Sequence, residues 1–297
     1  MQRQQSLGGL EEADSAGRTA APPSVLRALN AVQHRLDDFQ RAPAHGDPAD
    51  LRATARTLLH AVDLSADVAL ACVLRNQVAG SYAMRHSIET AVVAALVGRR
   101  LHMRPAHLLS LVSAALALHA TGRHAGDDTA PPVAAAVHCT RAAETDWFAC
   151  LLLDHVPESA AEGDLDAAAH LLRMADRYCA GISPRNYRRA LLPDDALARV
   201  LEQSPDPELT AAFRDEIGLY PPGTVVRLAS GEWGIVAHRD GGHPAVFCLR
   251  DAEGRTFTVP LPRRVGADGC AIAAALGDDD SEITVSMKQV WGPLASL

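Results

Sequence analysis

Six residues in the middle of the chain have the chemistry of metal ligands: His86, His119, His138, Asp154, His155 and Asp176. They fall at helix ends or beside loops, on separate helical patterns, and helical bundles do build metal sites from side chains on facing helices. Imidazole with carboxylate suits Zn, Mn, Fe or Co, and the residue types alone do not choose among them. The stretch Tyr82 to Arg123 carries His86 near the start of one apolar helical pattern and His119 at the end of the next. The chain holds 13 histidines, and a lone helical histidine is more often a satisfied structural residue than a ligand. Spacing alone therefore leaves a shared metal and an ordinary helical core both open.

The elements that must position these residues are mostly helical. Val25, Leu29, Val32, Leu36 and Phe39 recur at four- and three-residue steps after a capping Ser24, which predicts an amphipathic packing helix. Helices are expected over Asp50 to Val62, Ala66 to Gln77, Tyr82 to His102, Ala106 to His119, Val133 to Ala143, Asp146 to His155, Leu165 to Ala180, Asp194 to Leu201 and Glu208 to Ile217. Arg104-Pro105 reads as a stop and restart, since Pro suits a first helical turn. Thr121 to Pro132 and Pro157 to Gly163 have loop chemistry. The grammar changes at Tyr220-Pro221-Pro222-Gly223. Beyond it the runs TVVRLA, GIVAHR, AVFCLR, TFTVPL and EITVSM alternate with turn residues, which predicts a small antiparallel, barrel-like β-module. The expected organisation is a disordered tail over 1–22, a helical region over 23–80, a helical domain over 81–219 and the β-module over 220–297.

Composition bounds the function. The chain has 297 residues, is 48% hydrophobic and only 4% aromatic, and is rich in Ala and Leu, which favours helix. A net charge of −8 argues against a nucleic-acid partner. Cys72, Cys139, Cys150, Cys179, Cys248 and Cys270 form no C-x-x-C pair and no disulfide framework, which points to reduced thiols in the cytoplasm. The run Leu108 to Leu118 is too short to cross a bilayer, so no membrane segment is expected. Neither a G-x-x-x-x-G-K-[ST] nor a G-x-G-x-x-G phosphate loop is present, nor a G-x-S-x-G elbow.

Four segments resemble the HD-GYP branch of the HD superfamily of metal-dependent phosphohydrolases. RHSIETAVVAALVGRRLHM looks like the family's first helix, with its opening histidine at His86. AALALHATGR stands where the family has A-L-L-H-D-I-G-K. LLRMADRYCAGISPRNYRRAL is similar to R-I-L-x-V-A-D-x-Y-D-A-L-T-S-x-R-x-Y-R-x-A, and IGLYPPGTVVRLASGEWGIV to the exit motif I-G-x-Y-P-P-G-S-x-V-x-L-x-x-G-x-x-G-V-V. The resemblance implies a mainly α fold: an HD-type helical bundle followed by the β-module, with two or three metal ions and cyclic di-GMP as substrate. It assigns His86, His119, His138, His155 and Asp176 as ligands, and puts Asp154-His155 where the family has His-His-Glu. Arg123 stands where a lysine approaches the reacting phosphate. Arg185, Tyr187 and Arg188 match an R-x-Y-R that lies against substrate phosphate, and a guanidinium fork suits that contact. The arginines read equally as a solvated cluster at a helix start.

The pattern also departs from the family. The H-D pair reads His119-Ala120, and the Gly-Tyr-Pro signature is absent. A methyl group cannot bridge two metals, and without that carboxylate two dications repel in a poorly screened site. A divalent ion such as Fe or Mn is therefore expected, without the full dinuclear centre. The expectation is a degenerate homologue in cyclic di-GMP-type signalling, weakly active or inactive, serving as a regulatory or interaction module with a cyclic dinucleotide or a signalling protein as partner. Two alternatives stand beside it: an active phosphodiesterase with altered ligands, and a purely structural, protein-binding helical bundle.

Overall fold

The computed structural model describes residues 22–41, 48–118, 164–184, 189–240, 243–266, 270–277, 283 and 285–297. The helices are α1 (Val25–Arg41), α2 (Pro48–Leu64), α3 (Ala66–Leu74), α4 (Tyr82–Arg100), α5 (Pro105–Ala117), α6 (Asp164–Ile182), α7 (Pro193–Glu202) and α8 (Pro207–Ile217), with a short α9 (Met287–Trp291) leading into a 3-10 turn at Gly292–Ala295. The strands are β1 (Val225–Leu228), β2 (Trp233–Asp240), β3 (His243–Arg250), β4 (Thr256–Arg264) and β5 (Ile272–Leu276). The expected tail, apart from Pro22, and the helices expected over Val133 to Ala143 and Asp146 to His155 lie outside the described residues.

α4 is the axis of the bundle. Ser81 caps it by accepting from the Met84 amide, and Ile88 together with Ala91 to Ala95 is fully buried. That burial on every side follows from a sequence without a polar stripe, the pattern of a helix surrounded by protein. α5 and α6 pack along it, and α1, α2, α3 and α8 close the remaining sides. In α1, Val25, Leu29, Val32 and Leu36 bury completely, as their spacing predicts. Ser65 ends α2 and caps α3, turning the chain by 108°. The two helices match a membrane span in length and composition only when taken together across that bend. Among the described residues no single helix is long and apolar enough to cross a membrane.

The sheet is antiparallel with strand order β4-β3-β2-β1-β5. Val225 faces Ile235 on one side and Leu276 on the other. Two expectations need correction here. The sheet is open among the described residues, because β4 pairs with β3 and β5 with β1 and the two outer strands do not meet. The fifth strand is Ile272–Leu276, where the expected run was EITVSM, and Met287 of that run begins α9. AIAAAL lacks β-branched weight, and it becomes a strand because β1 offers a free edge (tertiary context overriding propensity). Pro260 and Pro262 sit in the outer strand β4, where a missing N–H does least harm.

The sheet shares the bundle's core. Ile235 and Ala237 of β2 pack in the same apolar cluster as α4, Val290 and Trp291. Val226, Leu228, Val236, Val246 and Cys248 form a second, smaller cluster within the sheet. Arg239 fastens β2 to the helices: its Nε is 3.1 Å from Asp67 Oδ1 in α3, and its guanidinium also donates to the Glu216 backbone carbonyl and side chain in α8. Burial raises the Asp67 pKa, but hydrogen bonds from His238 and Arg239 and the Arg239 charge outweigh it and leave the carboxyl below its usual range. Burial has the upper hand at Glu216 and holds that group above its usual range. Trp291 Nε1 donates to the Ala237 carbonyl at 2.8 Å, and Ser24 Oγ donates to the Ser296 carbonyl at 2.5 Å, so the last residues lie against the start of α1.

Candidate functional site

The site begins on the first turn of α4. His86 is 3% exposed, and Tyr82 stacks on its imidazole with ring centroids 5.5 Å apart at 11°. The Arg85 guanidinium lies 5.9 Å over the same tyrosine. Across the seam, Asp176 projects from the middle of α6, its side chain about one-third exposed, and accepts from His86 Nε2 at 2.9 Å through Oδ1. Two donors each about 2.1 Å from one octahedral ion stand about 3 Å apart. The pair therefore already has the separation of two ligands on a shared ion, and Asp176 keeps one side toward solvent.

These two are the sequence-assigned ligands that the described residues bring together. His119, His138, Asp154 and His155 lie outside the described residues, as do Arg123, Arg185, Tyr187 and Arg188. Among the described residues no group of three or more His, Cys, Asp or Glu side chains converges to hold a metal. The separation of His86 and Asp176 suits a shared divalent ion, but two donors do not enclose one, and the other assigned ligands lie outside the described residues.

Sequence reasoning passed over Glu89. One turn beyond His86, its side chain is fully buried, and Ser183 Oγ donates to its Oε2 at 2.9 Å. Arg85 Nε is 3.5 Å from Oε1 without hydrogen-bond geometry. Burial pushes the carboxyl up to about 7, against the smaller opposing effects of the Ser183 hydrogen bond and the Arg85 charge. A signal was available in the sequence: the single charged residue in the mostly apolar run IETAVVAALV, three residues after a candidate ligand and so on its face of the helix. Tyr178, two residues beyond Asp176, is likewise sealed in and packs edge-on against Phe213 at 5.8 Å. Its phenol proton is held well above its ordinary range, mainly by burial. Where the chain returns after α6, Arg189 and Arg75 line a cavity of 260 Å³ between the bundle and β1.

The chain has a distant relative among characterised proteins. It is 29% identical over 140 residues to cyclic di-GMP phosphodiesterase PA4108 of Pseudomonas aeruginosa. The matched stretch is 46% of this chain and 32% of that protein, so the chain spans about a third of the relative's length. No family model and no solved structure matches the chain. The four described cysteines, Cys72, Cys179, Cys248 and Cys270, are unbridged.

Proposed function

We propose that this chain is a degenerate HD-GYP-type phosphohydrolase homologue in cyclic di-GMP signalling, weakly active or inactive as an enzyme and working in the cytoplasm as a regulatory or interaction module. The observation that carries the reading is the 2.9 Å contact of His86 with Asp176 across α4 and α6. The resemblance assigns these as the first and last ligands, while Ala120 stands where the bridging carboxylate belongs. The relative's activity on cyclic di-GMP supports the substrate class.

In this reading His86 and Asp176 would hold one divalent ion with help from His138 and His155. When bound, such an ion lowers the pKa of a coordinated water and neutralises phosphate charge. The chain's own residues do the rest. Tyr82 fixes the plane of the His86 ring by stacking, and in the metal-free protein Asp176 orients it by accepting from Nε2, a hydrogen bond that an ion between the two would replace. By the resemblance, Arg185, Tyr187 and Arg188 would contact the nucleotide's phosphates and Arg123 would serve the reacting one. Without the Ala120 position's carboxylate, binding outlasts turnover.

The retained His86–Asp176 pair also favours a second reading, an active phosphodiesterase in which Asp154 and water replace the lost ligand. Hydrolysis of cyclic di-GMP by purified protein with added Mn or Fe, beside an Ala120→Asp variant, separates the two. Near-background wild-type turnover with a gain in the variant supports the degenerate reading. Robust wild-type turnover overturns it.

A further inference from the structure

We propose that Trp233 and Arg227 form a binding site for a purine mononucleotide on the sheet, with the base stacked on the indole and the phosphate held by the guanidinium. Neither residue belongs to the helical site of His86 and Asp176, and the proposal does not rest on the functional reading above.

The register puts three side chains in one row. Arg227 of β1 faces Trp233 of β2, and Trp233 faces Arg250 of β3. Directly opposed residues of antiparallel strands point to the same side, with Cβ atoms about 4.5–5.5 Å apart. The indole therefore has an arginine on each side. The row extends the face that carries Ile235, two residues along β2, beyond the point where that face enters the bundle's core. Arg227 and Trp233 both fall at positions that the exit motif leaves open, so the row is a feature of this chain and not of the motif.

Trp233 lacks the uses that ordinarily explain a tryptophan. Trp291 is buried in the main apolar cluster and donates its Nε1 to the Ala237 carbonyl. Trp233 is only half-buried and belongs to neither apolar cluster. Among the described residues its side chain makes no hydrogen bond and no ring stacks on it. Arg227 is exposed, and among the described residues its guanidinium has no ion pair and no hydrogen bond. The acids near the row in sequence do not claim it: Arg263 forks onto Glu232, and Arg255 takes Asp251 and Glu253. An accessible indole beside an uncommitted cation suits a ligand with a flat ring and a negative charge. Stacking on an aromatic side chain tolerates any base, and a guanidinium fork matches phosphate. One ring seats one base, which makes the ligand a mononucleotide and not a strand, in keeping with the chain's net charge of −8.

The test titrates the full chain with AMP, adenosine and inorganic phosphate by calorimetry, with a chelator present, and follows tryptophan fluorescence alongside. Wild type is expected to bind AMP saturably with a Kd below about 1 mM, roughly tenfold tighter than adenosine or phosphate, and AMP is expected to quench the fluorescence. Arg227→Gln is expected to lower AMP affinity to that of adenosine. Trp233→Leu is expected to lower it to that of phosphate and to abolish the quenching. Thermal midpoints check both folds, and Arg227→Gln, at an exposed and unpaired position, is expected to keep the wild-type value, so it decides the question even if Trp233→Leu does not fold. Absence of saturable AMP binding, or AMP affinity unchanged in Arg227→Gln, overturns the proposal. Phosphate bound as tightly as AMP reduces the row to an anion patch, adenosine bound as tightly reduces it to an apolar one, and either result overturns the proposal too.

Discussion

His86 Nε2 and Asp176 Oδ1 meet at 2.9 Å, although ninety residues separate them along the chain. Helices α4 and α6 pack side by side, and the contact lies where their facing surfaces put an imidazole opposite a carboxylate. Removing either donor is expected to weaken Mn binding by more than the roughly 10- to 100-fold typical of losing an outer-shell partner. Equilibrium dialysis or calorimetry on His86→Ala and Asp176→Asn checks this. Unchanged affinity in both variants would mean that the pair is a structural hydrogen bond only. Wild type is expected to bind fewer than two ions per chain, and metal analysis giving two or more contradicts the role assigned to Ala120.

Glu89 predicts a pH dependence of stability in the metal-free protein. Its carboxyl is raised from 4.5 to about 7 by burial. Between those values the folded state holds a proton that the unfolded state has released, so unfolding free energy falls as pH rises through the window and levels off above it. The size is on the order of 3 kcal/mol at most. Asp67 and Glu216 also titrate differently on folding, so the quantity to measure is wild type minus Glu89→Gln. Denaturant melts at pH 4 and pH 8 are expected to show the variants alike at the lower pH and Glu89→Gln more stable at the higher. A constant difference across that range refutes the assignment.

Arg239 is expected to be the main polar fastening of sheet to bundle. Replacing it with Ala leaves Asp67 and Glu216, both about one-fifth exposed, facing each other without their shared cation. The expected loss is about 2 kcal/mol, with the larger part of a hydrogen bond to charge retained even after solvent screening. Urea unfolding measures it, and Arg239→Lys is expected to recover only part, because a lysine cannot fork between two acids.

Gly223 marks the closest approach of the sheet's entry to α3. Its φ is +100°, and a Cβ there would sit 2.8 Å from Leu74 Cβ and 3.0 Å from Ala71 Cα. Neither neighbour is the end of a flexible side chain. Gly223→Ala is therefore expected to cost at least about 1–3 kcal/mol from the backbone alone, read as a lower thermal midpoint. Gly254, also at positive φ but with nothing within 4 Å, is the control that isolates the clash.

Much of the fold can be read along the chain because its signals are local. The α1 stripe, the Pro105 restart and the turn at Tyr220-Pro221-Pro222-Gly223 each act within a few residues, and each stands where its chemistry predicts. Helix ends differ by a turn or less: α3 stops at Leu74, where Gln77 was expected, because Asn76 enters the left-handed region. The strand Ile272–Leu276 was not legible, since its sequence favours helix and only the β1 edge makes it β.

The candidate site divides the same way. The sequence by itself determined which residue types are available, and it carries four segments that resemble those of a metal-dependent phosphohydrolase, with Ala120 where the resemblance expects a carboxylate. Which side chains have the chemistry of ligands is a property of residue type and needs no coordinates. Tertiary structure alone decided that His86 faces Asp176 and that Glu89 is sealed against Ser183, because contacts between residues ninety or more positions apart depend on how α4 and α6 pack. A buried acid and an exposed one look identical in a sequence. Only the surrounding apolar side chains, by excluding water, turn Glu89 from an ordinary carboxylate into one that keeps its proton near neutrality.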